Sequence, residues 1–477
     1  MKNTCSYYVN GEWKKSSSGE TIDIFSPYLG EKIGEVQAIT REEVDEAINI
    51  AKLAQKDWQA LTINNRGEYL YKWSEELLRI KEELAEIIMK EVGKSKSDSI
   101  KEVERTSDLI KYTIEECIHM NGESMVGENF PGGSASKMAT IQRVPIGVIL
   151  AISPFNYPVN LAATKIAPAL ISGNTVIFKP ATQGSISGIK MIEALDKTKI
   201  QKGVINIVTG KGSIIGDYLV EHPSINMISF TGGTETGHHI AEKAKMIPLV
   251  MELGGKDPAI VCEDADLELA TKQIISGAYS YSGQRCTAIK RVIANEKIAD
   301  KLALLLKKEV EELSVGSPED DSVIVPLIDN KSADYVQSLI DDALSKGAKL
   351  LSGNKKEGNL IYPTLLDHVK VNMRVAWEEP FGPVLPIIRV KSDEEAIKLA
   401  NESEYGLQAS IFTENVNKAF LISSKIEAGS VQINGRTERG PDNFPFMGIK
   451  NSGMGTQGIR RSIESMTREK AIILNIK

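Results

Sequence analysis

Short apolar segments alternate with helical patterns between residues 148 and 252, and this alternation is the strongest structural signal in the chain. Five segments have the length and composition of buried strands: 148–152, 175–178, 204–208, 225–230 and 249–252. Such alternation is typical of a parallel sheet with crossover helices, whose ligands bind beyond the carboxyl ends of the strands. We therefore predict that one edge of this sheet carries the residues Asn156, Lys179, 231–237 and Glu252.

The first 120 residues predict a hairpin followed by helices. In the segment 7–13, Asn10-Gly11 supplies the two positive-φ positions of a tight turn between aromatic and β-branched residues. Thr40 and Glu43 have the spacing of a capping box, and apolar residues follow them at helical intervals. Further helices are predicted to about residue 120, where a polar, glycine-rich stretch (122–136) marks a break.

A second alternating block extends from residue 264 to 434 and predicts a separate α/β domain. It contains another expected capping box, at Ser392 and Glu395. Residues 443–455 are typical of a loop, and residues 471–477 alternate like a terminal strand. A terminal strand of this kind either pairs with another chain or forms a simple sheet edge.

Composition narrows the class of protein. A chain of 477 residues is too long for one ordinary core, and its 42% hydrophobic and 25% charged residues argue against disorder. The net charge of -7 gives no overall attraction for nucleic acid or an anionic membrane. The start of the chain lacks a signal-peptide pattern, and prolines interrupt the longest apolar region (144–178). We expect a cytoplasmic protein.

Cys286 is the most reactive candidate among the cysteines. The four cysteines are far apart and the histidines number five, so neither a disulfide framework nor a metal site is expected. Cys286 lies in a small polar loop directly after Arg285, and a permanent cation favours the nucleophilic thiolate. The alternative is structural, because a free cysteine is most often a small buried hydrophobe.

Two further polar residues follow predicted strands. Glu252 ends a buried strand before two glycines and could act as a general base, although most glutamates are surface residues. Asn156, between Pro154 and Pro158, could stabilise an oxyanion through its side-chain amide. A simple turn is the alternative for Asn156.

The candidate cofactor site combines a glycine-rich turn with a lysine. Residues 230–237 form a strand-to-helix turn suited to a pyrophosphate, but they match neither G-x-G-x-x-G nor a P-loop. Lys179 and Thr182 follow the next strand of the fold, where an NAD-selective protein commonly has an acid that binds the ribose. A lysine and a threonine favour the 2′-phosphate of NADP, unless Lys179 is a solvated surface charge.

Seven short motifs occur in one order along the chain. They are Pro154-Phe155-Asn156-Tyr157-Pro158, Phe178-Lys179-Pro180, Phe230-Thr231-Gly232, Glu252-Leu253-Gly254-Gly255-Lys256, Gly283-Gln284-Arg285-Cys286, Glu378-Glu379-Pro380-Phe381-Gly382-Pro383 and Asn451-Ser452-Gly453. Together they closely resemble the aldehyde dehydrogenase superfamily over essentially the whole chain. The resemblance implies an α/β fold with a Rossmann-type parallel-sheet cofactor domain (1–125 and 146–254), an α/β catalytic domain (255–455) and a small β oligomerisation arm (126–145 and 456–477).

The resemblance also implies a mechanism. Cys286 would attack the aldehyde carbonyl, while Asn156 and the Cys286 backbone amide hold the oxyanion. Glu252 would activate the water that hydrolyses the resulting thioester. No metal is implied.

The expected cofactor residues follow from the same resemblance. Lys179 and Glu379 would bind the adenosine ribose, and Phe381 would pack near the nicotinamide ribose. The remaining members of the expected site are Thr182, Thr231, Gly232, Gly233, Gly237 and Leu253. Gly233 departs from the family pattern, because the family often has serine at this position. Thr182 stands where NAD-preferring members often have glutamate, and the missing carboxylate favours NADP.

Within the superfamily the chain is most similar to the non-phosphorylating glyceraldehyde-3-phosphate dehydrogenases, at residues 103–106, 153–160, 281–287 and 439–446. By this match the residues that clasp the substrate phosphate would be Arg105, Tyr157, Arg285 and Arg439. An anionic substrate of an acidic protein needs a local cationic pocket, and the guanidinium fork suits phosphate oxygens. Taken singly, each arginine is more often a solvated surface charge.

We therefore predict irreversible oxidation of D-glyceraldehyde 3-phosphate to 3-phosphoglycerate with reduction of NADP, NAD being the alternative cofactor. We expect a homotetramer or homodimer without nucleic-acid or membrane partners. A dehydrogenase of another anionic aldehyde, such as succinate semialdehyde, is the nearest rival. A CoA-acylating enzyme is disfavoured by Glu252, and a non-catalytic protein by the intact Cys286, Glu252 and Asn156.

Overall fold

The structure, a computed structural model, describes residues 4–476. Residues 1–3 of the expected cofactor domain and Lys477 of the expected terminal strand lie outside the described residues. The helices are α1 Arg41–Ala60, α2 Ile63–Arg79, α3 Lys81–Val92, α4 Lys96–His119, α5 Asn160–Ile171, α6 Ser185–Asp196, α7 Gly212–Glu221, α8 Thr234–Lys243, α9 Leu267–Tyr279, α10 Glu296–Glu311, α11 Asn330–Ser345, α12 Asp393–Asn401, α13 Val416–Ser423 and α14 Ile459–Ser465.

Most strands are short, and the two longest have nine residues each. They are β1 Thr4–Cys5, β2 Tyr7–Val9, β3 Glu12–Lys14, β4 Thr21–Phe25, β5 Lys32–Gln37, β6 Glu123–Val126, β7 Lys137–Pro145, β8 Val148–Ile152, β9 Thr175–Lys179, β10 Ile205–Ile207, β11 Met227–Thr231, β12 Leu249–Glu252, β13 Pro258–Val261, β14 Arg291–Asn295, β15 Lys349–Ser352, β16 Lys356–Glu357, β17 Leu360–Ile361, β18 Thr364–Asp367, β19 Val384–Val390, β20 Tyr405–Gly406, β21 Gln408–Phe412, β22 Ser430–Ile433, β23 Ile449–Lys450, β24 Gly453–Met454 and β25 Thr467–Asn475.

The five strands predicted between residues 148 and 252 form the parallel centre of an eight-stranded sheet. The strand order is β24-β12-β11-β8-β9-β10-β2-β3, with β24 and the β2–β3 hairpin antiparallel at the two edges. Strand β8 pairs with β9 on one side and with β11 on the other. The chain order therefore reverses at β8, and a reversal of this kind opens a ligand crevice beyond the carboxyl ends of the strands.

A second sheet of seven strands carries the other half of the molecule, in the order β15-β18-β19-β14-β13-β21-β22. All of its pairings except β15–β18 are parallel, as the second alternating block predicts. A third, antiparallel sheet joins β6, β7 and β25. The predicted terminal strand is thus present, and it is longer than predicted.

Local sequence signals account for several element boundaries. Asn10 and Gly11 have φ values of 56° and 74° at the β2–β3 turn, which confirms the predicted hairpin. The capping box at Thr40 and Glu43 is confirmed, and such a cap contributes about 1 kcal/mol. The box predicted at Ser392 is only half formed, because the Glu395 carboxylate accepts the Lys391 N–H instead.

Two assignments near the C-terminus differ from expectation. The expected loop at 443–455 contains the short strands β23 and β24, and β24 pairs with β12 of the first sheet rather than with the second sheet. Helix α14, expected within the arm, packs against α4 and α5. Both differences arise from contacts with elements more than 200 residues away in sequence. Local sequence patterns do not predict such contacts.

Candidate active site

A cavity of about 1310 Å³ opens where the central strands of the first sheet end. The predicted site residues on its wall are Asn156, Lys179, Thr231, Gly232, Gly233, Leu253, Cys286, Glu379 and Phe381. Pockets for small ligands commonly occupy about 300–1,000 Å³. The cavity therefore has room for a dinucleotide together with a small substrate.

The loop that carries Cys286 reverses sharply after α9. Tyr281, Ser282 and Gly283 have φ values of 53°, 54° and 70°. A side chain at Gly283 would place its Cβ 2.5 Å from the Gly382 carbonyl oxygen, so only glycine fits. Consecutive residues in this left-handed region are strained, and such strain gathers at functional sites. The reversal brings Cys286 to the cavity wall.

Cys286 and Glu252 are in direct contact. The thiol donates a hydrogen bond to Glu252 Oε1, with an Sγ–Oε1 distance of 3.0 Å. Burial, together with the negative charge of Glu252, raises the pKa of the Cys286 thiol well above its usual value. The nucleophile is therefore a neutral thiol in this arrangement.

The expected influence of Arg285 on the thiol is not found. Its guanidinium donates to the Ser276 carbonyl at 3.4 Å and to the Gly277 carbonyl. These carbonyls belong to the last turn of α9, where no intrahelical donor is available. Arg285 thus binds a helix end and does not line the cavity. The cations that lower the pKa of Cys286 are Lys290 and Arg439.

Arg439 connects the Glu252 carboxylate to Asp442 and Arg105. Its Nη1 donates to Glu252 Oε2 at 2.7 Å, and its Nη2 donates to Gln457 Oε1 at 2.9 Å. Asp442 lies 3.8 Å from Arg439 and receives two hydrogen bonds of 2.8 Å from Arg105. Arg105 also donates to the Arg439 carbonyl. Two of the three predicted phosphate-binding arginines are therefore adjacent, and Asp442 holds them together.

Asn156 and Tyr157 contact residues of the nucleophile loop. The Asn156 amide donates to the Gln284 carbonyl at 2.9 Å, and its nitrogen carries a second N–H that can serve an oxyanion. The Tyr157 ring packs over Lys94 Nζ, 3.5 Å from the ring centroid, and edge-on against Tyr281. These contacts fix the orientation of both predicted side chains.

Lys179 lies at the end of β9 in a nearly closed environment. Its amine donates only to the Pro180 carbonyl, at 3.3 Å, and burial lowers the pKa of Lys179 to about 8. A buried cation of this kind suits an anionic ligand group. Thr182 lies outside the cavity wall, and its carbonyl accepts the Ser185 N–H in the turn before α6.

The glycine-rich turn leads directly into α8. Gly233 is the N-cap residue and offers no side-chain cap, so the first N–H groups of α8 are available to a phosphate. A Cβ at Gly233 would meet nothing within 4 Å, whereas one at Gly237 would collide with the Leu253 side chain. Gly237 therefore allows close packing of α8 and does not line the cavity.

Glu379 lies at the nucleophile end of the cavity, which corrects its expected pairing with Lys179 at the adenosine ribose. Its Oε1 accepts the Gly255 N–H at 3.1 Å and pairs with Lys290 Nζ at 2.9 Å. Gly255 follows β12, and two strands separate β12 from the β9 strand of Lys179, a lateral distance of about 14 Å. Phe381 packs edge-on against Phe155 close by, with ring centroids 5.9 Å apart.

Three charged residues of the site escape sequence reasoning. Lys165, on the wholly buried helix α5, donates to Thr231 Oγ1 at 2.6 Å. Burial lowers the pKa of Lys165 to about 7, partly offset by the negative charge of Glu252. A single lysine in an apolar helix was the available signal. Asp442 and Lys290 carried no signal of this kind, since Asp442 lies between Pro441 and Asn443 in a polar loop and Lys290 directly precedes Arg291.

Within residues 4–476, no group of three or more His, Cys, Asp or Glu side chains is arranged to hold a metal ion. In the same part of the chain, no helix has the length and apolarity needed to cross a membrane.

A model of the aldehyde dehydrogenase family matches residues 13–472. A NADP-dependent glyceraldehyde-3-phosphate dehydrogenase from Streptococcus equinus is 54% identical over 469 residues, which is 98% of each chain. The enzyme of the same name from Pisum sativum is 50% identical over 472 residues, covering 98% of this chain and 95% of its own. The crystal structure of the Bacillus halodurans C-125 enzyme of that name, complexed with NADP, matches with a TM-score of 0.99, 59% identity and 100% of both chains.

Proposed function

The chain belongs to the aldehyde dehydrogenase family, and on this premise we propose that it oxidises D-glyceraldehyde 3-phosphate to 3-phosphoglycerate with reduction of NADP. One observation carries the proposal: Glu252 contacts the Cys286 thiol with one carboxylate oxygen and Arg439 with the other. A nucleophile on the cavity wall, a base and an anion-binding side chain are therefore linked by direct contacts. The relatives at 50–54% identity carry the name of this NADP-dependent activity.

Cys286 is the nucleophile of the proposed reaction. Once the thiol has lost its proton to water, the sulfur attacks the aldehyde carbon, and the carbonyl electron pair moves to the oxygen, which becomes an oxyanion. The Asn156 amide and the Cys286 backbone N–H hold this oxyanion. Lys290 and Arg439 favour the thiolate electrostatically, because both lower the pKa of Cys286 against the effect of burial.

Glu252 is the base that resolves the thioester. Once the sulfur is acylated it has no proton to donate, and Glu252 Oε1 becomes free to accept one from water. Arg439 keeps the carboxylate in place through the 2.7 Å contact with Oε2. Lys165 adjoins this region, and its pKa of about 7 allows it to take up or release a proton at neutral pH.

The cavity residues fit NADP, which when bound accepts the hydride of the aldehyde carbon. The free N–H groups of α8 suit its pyrophosphate, and the buried Lys179 amine suits the adenosine-side ribose or its 2′-phosphate. Glu379 lies near Cys286, so we assign it to the nicotinamide-side ribose. Thr182 supports NADP through the absence of a repelling carboxylate rather than through a cavity contact.

The substrate phosphate is assigned to Arg105 and Arg439. Asp442 holds both guanidinium groups near the base, and Tyr157 is packed on the adjoining loop. We keep Arg285 out of this assignment, because its guanidinium donates to the end of α9.

A substitution of Arg105 distinguishes the phosphorylated substrate from other aldehydes. We expect Arg105→Met to raise KM for glyceraldehyde 3-phosphate by about tenfold or more, since a charge-assisted hydrogen bond contributes about 1.5–3 kcal/mol. Turnover of unphosphorylated glyceraldehyde should change by less than about twofold. Steady-state kinetics with both aldehydes measures this, with Arg79→Met, at an exposed pair on α2, as the control.

The same kinetics tests the nearest rival. A larger kcat/KM for succinate semialdehyde than for glyceraldehyde 3-phosphate in the wild type would assign the arginines to a carboxylate substrate instead. Equal losses for both aldehydes in Arg105→Met would remove Arg105 from phosphate binding.

We further propose a homotetramer or homodimer working in the cytoplasm. Strand β25 forms one edge of the third sheet and exposes Ile472, Ile473 and Leu474, which supports pairing with another copy of the chain. All four cysteines are free, as suits a reducing compartment. The proposed oligomerisation arm (126–145 and 456–477) contains β7 and β25, and β6 begins three residues before it. The cofactor domain (1–125 and 146–254) and the catalytic domain (255–455) are proposed with the bounds given above.

A further inference from the structure

Lys290 connects two loops of the active site that are distant in sequence. Its amine donates to the Cys286 backbone carbonyl and pairs with Glu379 Oε1 at 2.9 Å. The same Glu379 oxygen accepts the Gly255 N–H at 3.1 Å, three residues beyond Glu252. One ammonium and one carboxylate thus join the loop of the nucleophile to the loop of the base.

The backbone of Lys290 is fixed where β14 of the second sheet begins. The Lys290 N–H donates to the Asp257 carbonyl at 3.0 Å, directly before β14 begins. The side chain is 98% buried and extends back to the carbonyl four residues earlier. Burying an ammonium is costly unless strong acceptors surround it, and here a carboxylate and a carbonyl serve that purpose. Its position is therefore well determined.

The contact with the Cys286 carbonyl has a consequence for the thiol. Holding this carbonyl fixes the backbone of Cys286 and, with it, the direction of the Cα–Cβ bond. The sulfur and the backbone N–H that faces the oxyanion are then held together. A positive charge at this place also favours the thiolate over the thiol.

We infer that Lys290 is a positioning residue that holds the Cys286 loop against Glu379. It thereby fixes the position of the nucleophile relative to the residue that binds the cofactor ribose. The part concerning Cys286 stands on the contacts alone. The part concerning the ribose rests on the proposed function.

Several charged groups share the space around Lys290 and Cys286. Those that face one or the other from the neighbouring helix, loops and strands are Lys165, Glu252, Lys256, Asp257, Arg291, Glu379 and Arg439. Glu252 opposes the thiolate, whereas Lys290 and Arg439 favour it. Removing the Lys290 charge therefore moves ionisation of the thiol to higher pH, because a charge that favours the thiolate is lost.

The test is the pH dependence of Cys286 alkylation in the cofactor-free enzyme. Iodoacetamide labels the thiolate, and mass spectrometry of the Cys286 peptide separates it from the half-buried Cys5. We expect Lys290→Met to shift the midpoint upward by about one pH unit and to slow labelling at pH 8 about tenfold. KM for NADP should rise about tenfold as Glu379 loses its partner. Lys290→Arg, which keeps the charge, should restore most of the labelling profile.

Lys297→Met, at an exposed pair with Glu263, is the matched control and should behave as the wild type. If Lys290→Met has a lower Tm than the wild type, Lys290→Gln replaces it in the test, because glutamine keeps a hydrogen-bond donor without the charge. A wild-type labelling profile in a folded Lys290→Met or Lys290→Gln variant overturns the inference. Labelling needs no aldehyde, so a wrong substrate assignment would leave this result intact.

Discussion

Replacing Glu252 by Gln is expected to stop the reaction after one turnover. The amide cannot take a proton from water, so the thioester on Cys286 should persist while the first equivalent of NADPH is released. General-base catalysis commonly contributes about 10²–10⁴-fold, and we expect steady-state kcat to fall by about 10³-fold. Rapid-mixing absorbance should still show a burst of about one NADPH per site, even if the burst is slower.

The amplitude of the burst decides the role of Glu252. Loss of burst and steady state together would place Glu252 before thioester formation and contradict its assignment to water activation. Full rescue of the variant by CoA would be expected of an acyl-transferring enzyme instead. Glu263→Gln removes an exposed carboxylate paired with Lys297 and serves as the control, with kinetics like those of the wild type.

Cys286→Ser is expected to abolish both the burst and steady-state turnover. A serine hydroxyl ionises far less readily than a thiol and is a much weaker nucleophile at neutral pH. The loss should be about 10⁴-fold or more in kcat/KM. NADP binding, measured by calorimetry, should remain within about threefold of the wild-type Kd because the substitution changes only one atom of the cavity wall.

Cys5→Ser is the matched control for this substitution, since Cys5 lies on the short strand β1 outside the cavity wall. It should retain wild-type kinetics. Residual activity of Cys286→Ser within about tenfold of the wild type would be incompatible with covalent catalysis at this residue.

Periodicity was enough to locate the sheet and its functional edge. The strands β8 and β12 have the bounds predicted from their apolar runs, and Asn156 and Glu252 occur where those strands end. A parallel strand that is buried on both faces must be continuously apolar, so its ends are visible in the sequence. The placement of Cys286 at this edge could be predicted only from the family resemblance, because this residue comes from the second half of the chain.

The directions of long side chains could not be predicted from the sequence. Arg285 adjoins Cys286 in the chain, yet its guanidinium satisfies carbonyls at the end of α9. Glu379 was expected beside Lys179 but contacts Gly255 and Lys290. Both outcomes depend on which buried acceptor or donor lies within reach of a flexible side chain, and that is decided by tertiary packing.

The most direct test of the whole account is a simple assay of the wild-type protein. Protein, D-glyceraldehyde 3-phosphate and NADP are mixed in a buffer free of inorganic phosphate and CoA, and NADPH and 3-phosphoglycerate are quantified. We predict sustained NADPH formation with one 3-phosphoglycerate per NADPH, because water activated by Glu252 resolves the thioester. Absence of NADP reduction under these conditions, or reduction that begins only when phosphate or CoA is added, would contradict the account.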